Sequence, residues 1–334
     1  MPLEAPGQDA PSAREIAHAD SAEGGGVIAV VVAYAPSAEA LLALLTRLGP
    51  QVRQIVLVDN ADAASARQTI AGLARQAVGC PIDYLLIGSN SGIAHAQNRG
   101  VARAIELGAR WALLSDDDSL PAEDMVAALV AAIERPDAES VAAVGAWVED
   151  DRTHSAALVY RDTWLGPRRM AREDLAQPDT RVAFLVASGC LLNLKLWESI
   201  GPMREDFFID HVDLEWCLRA RRTGYSIRIV PAARLGHRLG DRLIRPWLLG
   251  RRPVHLHAPA RNYYLSRNTI RLVLGPLLSW GWRLGYLIWL AKYCAFQSLF
   301  VAPRLTRSRL IAKGLADGLR GVGGPLGDTP RTRA

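Results

Sequence analysis

The sequence predicts an α/β fold: a mainly parallel, doubly wound sheet with helices on both faces, followed by a helical C-terminal region rich in aromatic and basic residues. Three observations carry this. Short β-type runs alternate with helical patterns through the first half, the order that βαβ units produce. The run Val27–Ala33 is apolar and largely β-branched, as a strand covered on both faces must be. Four of the β-type runs end beside polar or turn residues, which such a sheet gathers along the edge where open α/β folds bind ligands.

Residues 1–26 are rich in Ala, Pro, Gly and acidic residues and lack an apolar h-region, so they read as a disordered lead-in and not as a signal peptide. Strand Val27–Ala33 leads to Tyr34, and helical periodicity follows in Ala38–Leu48. Residues 54–58 give a second strand ending in Asp59-Asn60, 82–87 a third, 111–114 a fourth and 142–148 a fifth. The segment Gly88-Ser-Asn-Ser-Gly-Ile-Ala-His-Ala-Gln-Asn-Arg-Gly100 has the outline of a phosphate-binding turn, its glycines permitting close backbone approach ahead of a helix. It matches neither G-x-x-x-x-G-K-[ST] nor G-x-G-x-x-G, and an Asn-Ser-Gly turn into an ordinary helix fits the same residues. On one sheet edge, Tyr34, Asp59, Asn90 and the run Asp116-Asp117-Asp118 can reach one ligand. Composition shifts past Leu235, which divides the chain into a domain over 27–240 and a C-terminal region over 241–334.

With 334 residues, half of them hydrophobic, the chain can bury a substantial core. Cys80, Cys190, Cys217 and Cys294 lack C-x-x-C spacing, which argues against a zinc or redox site and fits the cytoplasm. The net charge of +5 is concentrated after Arg152, at Arg168-Arg169, 219–222, Arg242, Arg245 and Arg251-Arg252. Such clusters attract phosphates, nucleic acid or anionic lipid. No helix-turn-helix, zinc-finger or RNP pattern accompanies them, so no nucleic-acid partner is expected.

Crowded carboxylates at a strand end are costly unless a cation or solvent neutralises them, which makes Asp116-Asp117-Asp118 a candidate divalent-metal site. A solvated turn capping the helix that starts near Pro121 satisfies the same residues. A second acidic group, Asp210-His-Val-Asp213-Leu-Glu215, opens a helix-like segment that ends at Gly224. A carboxylate there suits the helix dipole and also general-base work.

The strings Val32-Ala-Tyr34, Val56-Leu-Val-Asp-Asn60, Asn90-Ser-Gly-Ile-Ala94 with Asn98-Arg-Gly100, and Asp116-Asp-Asp118 fall in the order found in family 2 glycosyltransferases. The chain resembles these nucleotide-sugar transferases of the Rossmann-like GT-A fold. Within them, Phe207-Phe-Ile-Asp-His-Val-Asp-Leu-Glu-Trp-Cys-Leu-Arg219 and Gly236-His-Arg-Leu-Gly-Asp241 are similar to bacterial rhamnosyltransferases. The resemblance implies a donor, dTDP-L-rhamnose or another nucleotide-sugar, bound by Tyr34, Asp59, Asn90, Gly92, Asn98 and Asp116, and an Asp59 that merely caps a turn fits the same position. It makes Asp116 and Asp118 the acids of a D-x-D, with Asp118 on Mg2+ or Mn2+, Asp116 toward ribose or a metal-bound water, and His237 a further metal ligand.

It also implies Asp213 as the base of an inverting single displacement, with Glu215 as the acid that follows. Val212 stands where the family usually has Glu, which leaves Asp210 as a competing base. Ser188-Gly-Cys190 resembles the turn beneath donor sugar and acceptor. Residues 161–181, with Trp164 and Arg168-Arg169, suit an acceptor loop because aromatic and basic groups fit sugar rings and diphosphates, and an irregular surface loop fits the same residues. Arg267, in Arg261-Asn-Tyr-Tyr-Leu-Ser-Arg-Asn268, is expected on a donor or acceptor diphosphate. The implied acceptor is a saccharide or lipid-linked saccharide in cell-surface polysaccharide (O-antigen) biosynthesis. The alternatives are a UDP-hexose transferase and a non-catalytic nucleotide-sugar sensor.

Residues 272–301 are dominated by Leu, Trp, Tyr and Phe but broken by Gly275-Pro276, Arg283 and Lys292, which argues against a membrane span. Trp280, Trp282, Tyr286, Trp289 and Tyr293 beside basic residues fit peripheral contact at the inner face of the bacterial cytoplasmic membrane. Two amphipathic helices packed on the catalytic domain fit the same pattern.

Overall fold

The computed structural model describes residues 26–76, 78–135, 140–150, 159–164, 166–170, 180–237, 242–244 and 254–327. The lead-in over 1–25, Arg245, Arg251-Arg252, residues 238–241 and part of the 161–181 loop lie outside the described residues. The chain runs β1 (Val27–Ala33), α1 (Ala38–Leu48), β2 (Gln54–Asp59), α2 (Ala64–Leu73), β3 (Ile82–Leu86), α3 (Ile93–Glu106), β4 (Trp111–Asp116) and β5 (Ser119–Pro121). It continues through α4 (Met125–Ile133), β6 (Val141–Asp150), β7 (Tyr160–Thr163), β8 (Gly166–Arg169), β9 (Thr180–Arg181), β10 (Cys190–Asn193), α5 (Leu194–Ile200) and α6 (Val212–Arg222). Strands β11 (Ser226–His237), β12 (Arg242–Ile244) and β13 (Val254–Leu256) precede helices α7 (Pro259–Leu274), α8 (Trp280–Phe300) and α9 (Arg304–Leu319).

The central sheet has the order β3-β2-β1-β4-β10-β6-β11-β5, with β9 also on β11. Strands β1 to β4, β6 and β11 point one way, whereas β10 runs antiparallel between β4 and β6, and β5 and β9 oppose β11. The sheet is therefore mixed in its second half, where Cys190–Asn193 is too short a run to display a period in the sequence.

Strand β1 is buried at every position because its side chains alternate between two cores. Ile28, Val30 and Val32 join Ala96, Val101 and Ala104 of α3 and Trp216 to Leu218 of α6 on one face. Ala29 and Val31 join Leu41, Leu44, Leu45 and Leu48 of α1 and Leu129 of α4 on the other. Helix α3 lies so close to the sheet that a Cβ on Gly100 would stand 2.2 Å from Val30 Cγ1, so a larger residue there would push the helix off.

Helices α7, α8 and α9 pack on one another and on the loop between α5 and α6. Arg267 is fully buried in α7: Nη1 donates to Gly324 O at 2.6 Å, Nη2 to Phe207 O at 2.9 Å and Asp206 O at 3.2 Å, and Nε to Asn268 Oδ1 at 3.0 Å. Its guanidinium also contacts the rings of Tyr263 and Tyr264. A buried charge must be fully hydrogen-bonded, and these partners engage every guanidinium nitrogen, so Arg267 is a structural clamp and is not presented to a diphosphate. Among the described residues no helix is long and apolar enough to cross a membrane.

Candidate active site

Strand register assembles the acidic cluster. After β4 the chain turns through Asp117-Asp118 into β5, which pairs antiparallel with the end of β11 so that Ser119 faces His237. His237 Nδ1 thereby lies 3.1 Å from Asp118 Oδ1 and 3.0 Å from Ser119 Oγ, and Nε2 lies 4.0 Å from Asp116 Oδ2. One ligand atom from each of Asp116, Asp118 and His237 falls within 4.8 Å of the others. Beneath them the Ser188-Gly-Cys190 turn supplies Ser188 Oγ, which accepts from the Asp116 amide at 3.1 Å and bonds Ser119 Oγ at 2.7 Å. Burial pushes the Asp116 carboxyl above its ordinary value, opposed by the His237 charge, while Asp118 adds to the rise. Two carboxylates and an imidazole converging this tightly fit a hard divalent cation with Mn2+-like tolerance for nitrogen.

Asp117 faces away and its Oδ2 accepts from the Tyr34 amide at 3.1 Å, tying the end of β1 to the acidic turn. Desolvation raises its carboxyl to about 7.

The loops after β1, β2 and β3 are joined by side chains. Tyr34, half exposed, donates its hydroxyl to Asp62 Oδ2 at 3.4 Å, and Asp62 Oδ1 accepts from the Asn90 amide at 2.7 Å. Asn60 accepts from the Ser91 amide at 2.9 Å and donates to Asn90 Oδ1 at 3.3 Å. Asn90 Oδ1 also holds the Gly92 amide at 3.1 Å. Gly92 has φ +85°, and a Cβ there would sit 2.6 Å from the Phe208 ring, so the position demands glycine.

Asp59 takes the turn-capping place and not the ligand-facing one: it is fully buried, Oδ1 accepting from the Ala61 amide at 3.0 Å and Oδ2 from Tyr84 Oη at 2.5 Å. It holds the loop that carries Asn60 and Asp62, and those two present polar groups at the edge. Asn98 also differs from expectation. Its amide brackets Met203, donating to the carbonyl at 2.9 Å and accepting from the N–H at 2.8 Å, and thereby fixes the loop ahead of α6.

Asp213 lies in the first turn of α6, and its Oδ1 accepts from the Leu214 amide at 2.8 Å. Burial raises its carboxyl to about 6; hydrogen bonds from the Leu214 and Ala187 backbone oppose the rise, and the charges of Asp116 and Asp210 add to it. Among the described residues it forms no ion pair. Asp210 is held differently, by a two-pronged pair with Arg261: Nη2 to Oδ1 at 2.5 Å and Nε to Oδ2 at 3.3 Å. Both Asp210 oxygens are thus engaged by one guanidinium, which leaves Asp213 as the carboxylate more open to an acceptor hydroxyl. Arg261 also acts electrostatically on Asp116. It is the cation that sequence reading passed over for Arg267, six residues along the same helix. Glu215, the acid after Asp213, is buried and holds Arg219 at 2.9 Å, a structural role.

Phe208, Asp210 and His211 all have positive φ, at +64°, +66° and +62°. Non-glycine residues hold such angles only when their surroundings over-determine them. Here Asn268 Nδ2 donates to the carbonyls of Phe207 at 3.0 Å, Ile209 at 2.8 Å and Asp210 at 2.9 Å. His211 Nε2 bonds Thr269 Oγ1 at 2.8 Å, and burial lowers its imidazole to about 4.

Of the aromatic residues expected at a membrane surface, Trp282 is buried and Tyr286 and Tyr293 face inward, stacked along α8 toward His211. Trp280 is 83% exposed. In the expected acceptor loop, the β7–β8 hairpin packs on α8, where Trp282 Nε1 donates to Asp162 Oδ1 at 2.5 Å.

Fold and site together define a GT-A glycosyltransferase. Residues 17–251 match the family described as Glycosyltransferase like family 2, and the chain belongs to that family. It is 28% identical over 249 residues to the dTDP-rhamnosyl transferase RfbF of Shigella flexneri, a match covering 74% of this chain and 79% of the relative. Among solved structures, GalNAc-T7 with UDP, GalNAc and Mn2+ superposes with a TM-score of 0.59 at 13% identity, covering 89% of this chain and 56% of that one. The chain thus spans little more than half of that protein's length. The mannosyltransferase PcManGT of Pyrobaculum calidifontis, in complex with GDP-Man and Mn2+, gives 0.52 at 16% identity, covering 95% of this chain and 84% of that one. Residues 1–349 of TarS from S. aureus, in complex with UDP-GlcNAc, give 0.51 at 13% identity, covering 89% and 81%. These structural likenesses establish the fold.

Proposed function

We propose that the protein is an inverting, divalent-metal-dependent glycosyltransferase that moves L-rhamnose from dTDP-L-rhamnose to a saccharide carried on a lipid, in the assembly of a cell-surface polysaccharide such as O-antigen. The observation that carries the reading is the pairing of a metal-type cluster, Asp116, Asp118 and His237, with an acid outside any ion pair among the described residues, Asp213, whose carboxyl is raised to about 6 and senses the Asp116 charge. The similarity to RfbF supports the choice of donor.

Tyr34 and the Asn60–Asp62–Asn90 network receive the nucleoside at the edge formed by β1, β2 and β3. Asp116, Asp118 and His237 would hold Mg2+ or Mn2+, which would supply positive charge against the departing diphosphate. Asp213 accepts the proton of the attacking acceptor hydroxyl, and a carboxylate near 6 is ionised at neutral pH yet basic enough to take it. Attack opposite the leaving nucleotide inverts the anomeric centre, giving an α-L-rhamnoside from a β-L-donor.

Residues 27–240 form the transferase domain, and the helices of 241–334 complete its site. The outer face of α8 supports peripheral contact with the cytoplasmic membrane surface: Trp280, Leu284, Leu287, Ile288 and Leu299 are between 44% and 83% exposed, with Lys292 among them and no acidic residue on the helix. Such a face buries apolar area in a bilayer while the basic groups meet anionic headgroups.

The test is nucleotide release from a panel of nucleotide-sugars with Mg2+ or Mn2+ and with EDTA. Release from dTDP-L-rhamnose that needs metal and is lost in Asp213→Asn is expected. Preference for a UDP-hexose would replace the donor, and no release from any donor would leave only a nucleotide-sugar-binding protein.

A further inference from the structure

Helix α8 carries rings at positions 282, 286, 289 and 293, the spacing that places side chains on one helical stripe. They form a continuous ladder: Trp282 and Tyr286 stack with centroids 5.7 Å apart, Tyr286 and Trp289 tilt at 6.2 Å, and Trp289 and Tyr293 stack at 5.3 Å. The ladder meets the loop that leads into the base. The His211 ring, two residues before Asp213, stands edge-on to Tyr286 at 5.9 Å and to Trp289 at 6.5 Å. The Asp213 charge also acts on the Tyr286 hydroxyl.

Exposure along the ladder is uneven. Trp282 is 2% exposed, whereas Trp289 is 42% exposed although rings flank it on both sides. Tyr293 is fixed in turn by Asn262, whose Nδ2 donates to its hydroxyl at 2.6 Å. Trp289 is thus a large aromatic surface held rigid from within, open outward and adjoining the residues that position the base. A pyranose presents a face of C–H groups that packs on an aromatic ring while its hydroxyls stay free to bond or react. A rigid tryptophan supplies that contact at little entropic cost.

We propose that Trp289, flanked by Tyr286, is the acceptor subsite, on which a pyranose ring of the acceptor stacks with its reacting hydroxyl directed to Asp213. The inference rests on Asp213 being the base of the proposed transferase. It places acceptor recognition on α8, outside the residues 17–251 that match the family.

The experiment measures two reactions of the full chain with the donor that the nucleotide-release panel selects. One is transfer to octyl and methyl glycosides of rhamnose, glucose, galactose and N-acetylglucosamine, and the other is donor hydrolysis without acceptor. Saturation-transfer NMR reports glycoside binding independently. Trp289→Ala is expected to raise the acceptor KM at least about tenfold and abolish the NMR signal, with donor KM and hydrolysis within about twofold of wild type, whereas Trp289→Phe recovers most of the loss.

An unchanged acceptor KM in Trp289→Ala, or an equal rise in donor KM, overturns the proposal. So does loss only of binding to vesicles of phosphatidylethanolamine and phosphatidylglycerol, which would make Trp289 part of a membrane face. Donor hydrolysis by a wild type that binds no pyranoside overturns the subsite and leaves the transferase reading intact. Trp289-dependent pyranoside binding without nucleotide release from any donor supports the subsite and overturns the transferase reading instead.

Discussion

Replacing Asp213 by Asn should remove activity and raise stability together. The folded protein holds this carboxyl at about 6 against a reference value of 3.8, chiefly through burial. Because the folded value is the higher one, the native state binds more protons than the unfolded state between about pH 4 and 6, and stability falls as pH rises through that window. Above it the penalty is complete. The shift corresponds to roughly 3 kcal/mol at full strength, and partial solvent access together with nearby amides makes 1–3 kcal/mol the working figure. Asparagine carries no charge to desolvate and should recover part of this at pH 7 and none at pH 4.

Turnover should meanwhile drop by about two to four orders of magnitude, the scale for loss of a general base. In wild type, kcat/KM should fall about fivefold between pH 6 and pH 5, with the inflection moving lower when a cation offsets the Asp116 charge. Thermal melts at pH 4 and pH 7 beside initial rates across pH 5–8 test both halves. A variant with wild-type activity refutes the base assignment. A variant that melts lower than wild type at pH 7 refutes the electrostatic argument.

Asp118→Ala, or chelation by EDTA, should abolish turnover and metal-dependent donor binding measured by calorimetry; full activity in excess EDTA would remove the metal role. Arg267→Met should cost roughly 3 kcal/mol by leaving buried carbonyls without donors, read by urea unfolding, while the donor KM of the folded fraction stays unchanged; a selective rise in donor KM would restore the diphosphate role. The double change Leu284→Glu with Ile288→Glu should weaken sedimentation with anionic vesicles without altering donor hydrolysis, and unchanged sedimentation would remove the membrane face.

The parallel half of the fold was legible because buried parallel strands such as Val27–Ala33 announce themselves as apolar runs, and the D-x-D was legible because crowded acids at a strand end are chemically conspicuous. Pairing His237 with those acids required the β5–β11 register, which joins residues 118 apart through an antiparallel ladder of three residue pairs. The resemblance names His237 beside those acids, but only the register shows how it reaches them. The side chains that lie away from a ligand-facing place share a physical origin. Asp59, Asn98 and Arg267 lie on elements whose facing depends on tertiary packing, and a polar side chain quoted from a motif reads the same whether it meets ligand or backbone. Arg261 and Arg267 share one helix; only the depth to which α7 sinks separates the cation paired with Asp210 from the one sealed beneath Gly324.

That depth explains why the C-terminal helices belong to the site and are no appendage. The 208–211 segment carries three non-glycine residues at positive φ, a conformation that costs on the order of 1–3 kcal/mol per residue and must be held from outside. Asn268 holds it with three carbonyl bonds, Arg267 fixes its start, Arg261 engages Asp210 and Thr269 engages His211. All four come from α7, so the carboxylate at Asp213 is aimed by a helix more than forty residues downstream. Helix α8, packed on α7, then sets its ring stripe against His211 and turns its aliphatic stripe outward. One helix thus lies between the proposed membrane surface and the proposed base, so a lipid-carried saccharide would meet the aromatic wall beside Asp213 as its carrier lies along the opposite face.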